Sequence, residues 1–232
     1  MNPMVILAIL LLLALSVWFG GRALSRKRAF PCPAFLAWLV DNPVARRRAT
    51  AVLGLLELAP GMSVLDAGCG PGRLTVPIAV VVGPQGRVLA VDMQPRMLER
   101  ARAKAAAAGV ANIEFLQAGL GEGRVPAGRF DRALLSWVLG EILDRPRALR
   151  EIFAALKPGG FLLVSEVLAD PHYQSLAKVK ELAEACGFRP GVRHGNRCQY
   201  SLALEKPDQK TSAARPATAP IETSRNTPDR LK

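Results

Sequence analysis

Apolar positions in the middle of the chain fall in short, nearly unbroken runs, separated by longer stretches of helical period. Met62–Ala67, Arg87–Asp92, Ile113–Gln117, Phe130–Ser136 and Gly160–Val167 read as strands. Leu74–Val82, Pro95–Ala108, Pro146–Leu156 and Gln174–Cys186 read as helices between or after them. Strands that are apolar on both sides must be covered on both faces, and strands alternating with helices cross over to lie parallel. The pattern predicts an α/β domain with a doubly wound, mostly parallel, Rossmann-like sheet. A last strand, about Gln199–Leu204, closes the order, and two helices near Pro33–Val40 and Pro43–Leu58 precede the first strand. No internal repeat interrupts this alternation.

The two ends follow other rules. Pro3–Gly21 carries no charge over nineteen residues and is dominated by Leu, Ile, Val and Ala. A helix of that length rises about 28 Å, close to the hydrocarbon thickness of a bilayer. Trp18 and Phe19 lie at its end, where amphipathic rings favour an interface, and Arg22, Arg26, Lys27 and Arg28 follow at once. A cleaved leader wants its charge before the apolar run and small residues at a cut site, an order this segment reverses. Residues 1–30 are therefore expected to be an uncleaved single-pass transmembrane anchor with a basic flank, leaving the rest of the chain cytoplasmic. Residues 206–232 are rich in Pro, Ser, Thr, Ala and charge, too poor in large aliphatics to offset the entropy of ordering. They read as a disordered tail, and residues 31–205 as one domain.

Composition sharpens this picture only in part. With 232 residues, half of them apolar and 22% charged, the chain has the balance of a globular domain. Thirty-one Lys and Arg against nineteen Asp and Glu leave a net charge of +12, which suits an anionic partner. Arg46–Arg48 and the basic flank lack interleaved aromatics and any nucleic-acid motif, so anionic membrane lipids are the expected partner and nucleic acid is not. A solvated helix face is an equal reading of Arg46–Arg48. Cys32, Cys69, Cys186 and Cys198 are scattered, without a paired spacing, which argues against a disulfide framework or a metal cluster.

Candidate chemistry gathers at the strand ends. The first strand runs into Asp66-Ala67-Gly68-Cys69-Gly70-Pro71-Gly72, and a helix follows. Glycine lets such a loop turn sharply and approach a ligand closely. Twenty residues after Gly72 the second strand ends in Asp92, an acid placed to accept hydrogen bonds from a ribose. The dinucleotide fingerprint fails at its third glycine, where Arg73 stands, so a nucleoside without pyrophosphate fits better than NAD.

These residues resemble the first motif of class I S-adenosylmethionine-dependent methyltransferases, of the methyltransferase type 11-like kind. Phe130-Asp131-Arg132-Ala133-Leu134-Leu135-Ser136 resembles that family's fourth-strand motif, and Leu156-Lys157-Pro158-Gly159-Gly160-Phe161-Leu162 the turn into its fifth strand. The resemblance covers about Pro60–Pro207 and implies a seven-stranded methyltransferase sheet with S-adenosyl-L-methionine as cofactor. It implies that Gly68 and Gly70 approach the methionine part, Asp92 holds the ribose hydroxyls and Met93 packs on the adenine. Asp66, Cys69, Gly72, Ala118, Gly119 and Ser136 complete the implied cofactor contacts. Two features depart from the family. Gln117-Ala118-Gly119-Leu120 lacks the acid that many members place against the adenine amine. Gly140-Glu141 stands where many carry a histidine.

Ser136, Glu141, Glu166, Asp170, His172 and Tyr173 lie at the ends of the fourth and fifth strands. Glu141, His172 and Tyr173 are the candidates for catalysis, with His172 equally readable as a loop or helix cap. Trp137 could line an acceptor pocket, and His194 and Asn196 sit in a stretch that reads as a turn. The expected function is methyl transfer by a membrane-anchored enzyme to a lipophilic or small-molecule acceptor. Two other readings stay open: a non-catalytic cofactor-binding membrane adaptor, and an NAD-dependent oxidoreductase.

Overall fold

The computed structural model describes residues 2–9, 12, 13, 16, 20, 32 and 43–208, the side chains of 43–48 excepted. The helix near Pro33–Val40, the basic flank, the side chains of Arg46–Arg48, much of the apolar run and residues 209–232 lie outside the described residues. Within the run, residues 3–9 are helical and exposed, and among the described residues no helix is long and apolar enough to cross a membrane.

Seven strands form one sheet: β1 (Ser63–Ala67), β2 (Arg87–Asp92), β3 (Ile113–Gln117), β4 (Phe130–Ser136), β5 (Leu156–Val167), β6 (Arg189–Gly195) and β7 (Gln199–Glu205). Their order is β3-β2-β1-β4-β5-β7-β6, with β1 to β5 parallel and β7 antiparallel to both of its neighbours. Five helices pack on it: α1 (Pro43–Leu55), α2 (Thr75–Val82), α3 (Pro95–Ala107), α4 (Arg145–Ala155) and α5 (Leu176–Glu184). Alternation along each strand sorts the core into two layers. Leu65, Val91, Leu135 and Val164 face α4 and α5 through Leu149, Ile152 and Val179. Val64, Val88, Leu134 and Leu163 face α1 and α2 through Val52, Leu56, Ile78 and Val82.

The strands predicted from the pattern, and the predicted helices that fall on described residues, are present, with boundaries moved by local hydrogen bonding. β5 starts at Leu156, within the expected turn, because Leu156 pairs with Phe130 before the register shifts and Arg132 pairs with Phe161. Asp131 ties these strand starts together: its carboxylate accepts from the Ser63 amide (2.8 Å) and the Lys157 ammonium (2.7 Å). α5 begins only at Leu176 because the Ser175 hydroxyl caps it, accepting from the Lys178 amide (3.4 Å). Lys206, expected to open the tail, is bound into the domain: its ammonium donates to the carbonyls of Phe153 (2.8 Å) and Leu156 (2.6 Å). β6 is the strand the pattern missed. It includes His194, while Asn196 forms the turn, its side-chain oxygen accepting from the amides of Cys198 and Gln199.

The parallel core places the carboxyl ends of β1, β2 and β4 side by side, and the loop after β1 is wedged against α3. Gly72 has φ +77°, and a Cβ there would lie 2.9 Å from the Cβ and 3.0 Å from the Cα of Ala101. Gly72→Ala is expected to destabilise the fold by about 1–3 kcal/mol, read by urea unfolding. An unchanged midpoint would show that the loop does not rest on α3.

Candidate active site

The glycine loop is held by its neighbour strand. Gly68 and Cys69 both donate their amides to the Val91 carbonyl (2.8 and 2.9 Å), so the chain leaving β1 folds back over the end of β2. At Gly68 a Cβ would lie 2.5 Å from a Val138 methyl, which only glycine avoids. Asp92 closes the arrangement, accepting from the Gly70 amide on one oxygen (2.9 Å) and the Gln94 amide on the other (2.8 Å). Burial pushes its carboxyl up, opposed by these two amides. Asp66 is buried under the loop, where its carboxylate accepts from the Thr75 hydroxyl (2.6 Å). Burial pushes it up to about 6.

A cavity of about 440 Å³ opens above these residues, an ordinary size for a small-molecule site. Asp66, Gly68, Cys69, Gly70, Asp92, Met93, Ala118, Gly119 and Ser136 line it, and Gly72 lies just outside as the wedge described above. A Cβ on Gly70 would meet nothing within 4 Å, so the loop leaves open space there. Met93 stands at the rim, 55% exposed. On the far wall are Ser136, Trp137, Val138, Glu141 and Ile142. Trp137 sits at φ +63°, in the left-handed region that bulky residues avoid, with its amide on the Ser165 carbonyl (2.9 Å).

Glu141 ends a 3₁₀ turn, Leu139–Glu141, that follows β4. One carboxyl oxygen accepts from the backbone amide of Cys32 (3.1 Å), whose carbonyl accepts from the Gln94 side chain (2.8 Å). Burial first, then the nearby charges of Asp170 and Asp92, push Glu141 up to about 7, against the pull of His172 and the Cys32 amide. His172 and Tyr173 do not line the cavity. The His172 backbone amide donates to the Asp170 carboxylate (2.7 Å), and its ring Nδ1 lies 3.3 Å from the same oxygen, which raises its pKa. Its carbonyl presses on Gly140, where a Cβ would lie 1.8 Å away. The Tyr173 hydroxyl donates to the Arg197 carbonyl (2.7 Å), its ring edge-on to Tyr200. His172 and Tyr173, candidates for catalysis, thus lie behind the wall that carries Ser136, Trp137 and Glu141, where Gly140 packs against the His172 carbonyl.

Among the lining residues that the sequence did not single out are Arg73, Gln94 and Glu122. Arg73, noted only as a missing glycine, donates to the Ser136 hydroxyl (3.2 Å) and stacks 4.2 Å over Trp137. Gln94 links Cys32 to the end of β2. Glu122 supplies an acid near Gly119, in the region that lacks the expected one. Only the helical start after Asp92 hinted at any of them.

S-adenosylmethionine fits this lining. The Asp92 carboxylate keeps acceptor capacity for two ribose hydroxyls, Gly70 admits close backbone approach, and Asp92 and Glu122 leave acids in the lining that suit a sulfonium cation. Arg73 is a counter-charge for a carboxylate.

Comparison with known proteins agrees. A family model described as a methyltransferase domain matches residues 58–209. The chain is 40% identical over 121 residues to a ubiquinone/menaquinone biosynthesis C-methyltransferase, UbiE, of Vibrio vulnificus, covering 52% of this chain and 46% of that protein. It therefore spans about half the length of the curated relatives it matches first. A S-adenosylmethionine-dependent methyltransferase from Aquifex aeolicus superposes with a TM-score of 0.70 at 22% identity, over 76% of this chain and all of that one. The [4+2]-cyclase SpnF superposes at 0.63 with 19% identity, over 71% and 81%. These structural likenesses speak to the fold alone.

Behind the cavity, Glu166 is 1% exposed, and its Oε1 has no hydrogen-bond partner among the described residues. Burial pushes it up to about 8. The native state therefore holds a proton that the unfolded chain releases near the ordinary glutamate value. Its contribution to stability is complete below that value and is lost as pH rises through about 8. Glu166→Gln is expected to gain in melting temperature relative to the parent chain between pH 5 and pH 8.5. An offset that is the same at both would show Glu166 ionised in the fold.

Proposed function

Since the chain belongs to the methyltransferase domain family and takes its methyl group from S-adenosyl-L-methionine, we propose that its acceptor is a lipophilic, hydroxylated small molecule methylated beside Glu141. The observation that carries this reading is the placement of Glu141. It is a carboxyl poised near neutrality, on a largely apolar cavity wall that it shares with Ser136, Trp137, Val138 and Ile142. An apolar wall suits a lipophilic ring, and a carboxyl with a pKa near the working pH suits proton removal from its hydroxyl. The name of the Vibrio relative supports carbon as the atom methylated.

Bound in the cavity, S-adenosylmethionine supplies an electrophilic methyl group on a sulfonium. This chain's residues do the rest. Gly70 and Asp92 fix where the donor lies, and Ser136 and Trp137 border the space in which the acceptor would meet it. Alignment of this kind is the larger part of what an in-line displacement needs. An ionised Glu141 would take the hydroxyl proton and raise electron density on the ring carbon. As that carbon bonds the methyl, the methyl–sulfur bond would break, S-adenosylhomocysteine would leave, and the carbon would shed its own proton to restore the ring.

Pro3–Gly21 would hold the chain at a bilayer and the basic flank would rest on anionic lipid, bringing the cavity to an acceptor dissolved in the membrane. The observation behind this is the charge-free run itself, whose described residues Met4, Leu7, Leu12 and Leu13 are each more than half exposed.

Carbonate-washed membranes carrying the full chain, supplied with methyl-labelled S-adenosylmethionine, test the reading. Label is expected in an organic-extractable, alkali-stable product, with a rate that rises as pH passes about 7, where Glu141 loses its proton. Glu141→Gln is expected to lower that rate by about 10²–10⁴-fold and to flatten the pH rise. Label found in protein, or activity lost with the carbonate wash, would contradict it.

A further inference from the structure

Glu141 stands on the smallest element of the domain. A three-residue 3₁₀ turn has little hydrogen bonding of its own, and its carbonyls need outside partners. We infer that Arg145 is the positioning residue for Glu141, clamping the Leu139–Glu141 turn so that the carboxyl stays on the cavity wall. The guanidinium donates Nε to the Leu139 carbonyl (3.0 Å) and Nη2 to the Gly140 carbonyl (2.9 Å). This two-point planar fork is a geometry that an ammonium cannot reproduce.

The clamp is itself anchored. Arg145 is the first residue of α4, whose start is fixed by the Asp144 carboxylate accepting from the Arg147 amide (3.0 Å). On its other side the turn cannot slide, because Gly140 is flush against the His172 carbonyl. The anion that could draw the guanidinium away, Glu166, is buried and pushed up to about 8, so near neutrality it leaves Arg145 to the turn. The groups that face Glu141 are the Cys32 amide, Asp170 and His172 from the segment after β5, and Asp92 from β2. Arg145 bonds the carbonyls of the turn and acts on the carboxyl through the backbone.

The inference rests on Glu141 as the base, yet its test separates the two. In the full chain with ¹³C-carboxyl glutamate, the Glu141 signal is identified by its loss in E141Q and titrated. The parent chain is expected to titrate near 7. In R145M, release of the turn lets water reach the carboxyl, so the midpoint falls towards the ordinary glutamate value. R145K, with one point of contact, falls part of the way and serves alone if R145M does not fold. Affinity for S-adenosylhomocysteine stays within about twofold, while methyl transfer in R145M drops by about 10²-fold. A charge acting directly on Glu141 would raise the midpoint when removed, so an unchanged or raised midpoint overturns the inference. Full activity in E141Q would overturn the base assignment and leave this titration standing.

Discussion

The site depends on one carboxylate with two backbone partners. Asp92 takes the Gly70 amide on one oxygen and the Gln94 amide on the other, and so joins the loop after β1 to the start of α3. Charge-assisted bonds to backbone amides are the stronger kind, and two of them on one half-buried group leave little freedom for either segment. With the Gly68 and Cys69 amides on the Val91 carbonyl, they set the path of the glycine loop. The cavity exists because this loop is held back over β2. Gly68 against Val138 and Gly72 against Ala101 then fix its two ends.

Acids cluster around this scaffold, and their environments divide their roles. Asp66 is spent on Thr75 under the loop, and Asp92 on the amides above it. Glu166 is sealed behind the wall and kept neutral by burial. Glu141 is the intermediate case, partly buried yet lining the cavity, which is why we propose it as the carboxyl that exchanges its proton with a ligand. On that proposal, burial graded from the wall inward would separate a working carboxyl from structural ones.

How much of this the sequence carried depended on what kind of signal each residue leaves. The strands β1, β2, β4, β5 and β7 are apolar runs, and burial on both faces writes itself directly into such runs, while the edge strand β3 keeps a shorter apolar pattern. β6 left no such mark: Arg189–Gly195 is an edge strand, mostly exposed, with a proline and a glycine where a central strand would break. The glycine loop and Asp92 were legible because their spacing is local and their chemistry specific. Arg73, Gln94 and Glu122 were not, since each reaches the cavity through a side-chain direction that no periodicity encodes. His172 and Tyr173 were proposed from their place after β5. They are held away from the cavity by contacts distant in sequence, among them Gly140 on the His172 carbonyl and the Arg197 carbonyl on the Tyr173 hydroxyl.

The Asp92 bridge is central to the site, and calorimetric titration of the full chain with S-adenosylhomocysteine tests it most directly. Asp92→Asn keeps the shape but gives up the charge and one acceptor, and two charge-assisted bonds of about 1.5–3 kcal/mol each are at stake. Binding by the parent chain, weakened at least tenfold in Asp92→Asn with NAD bound by neither, is the result predicted. Equal affinity in the two folded proteins would place the cofactor elsewhere and contradict the account.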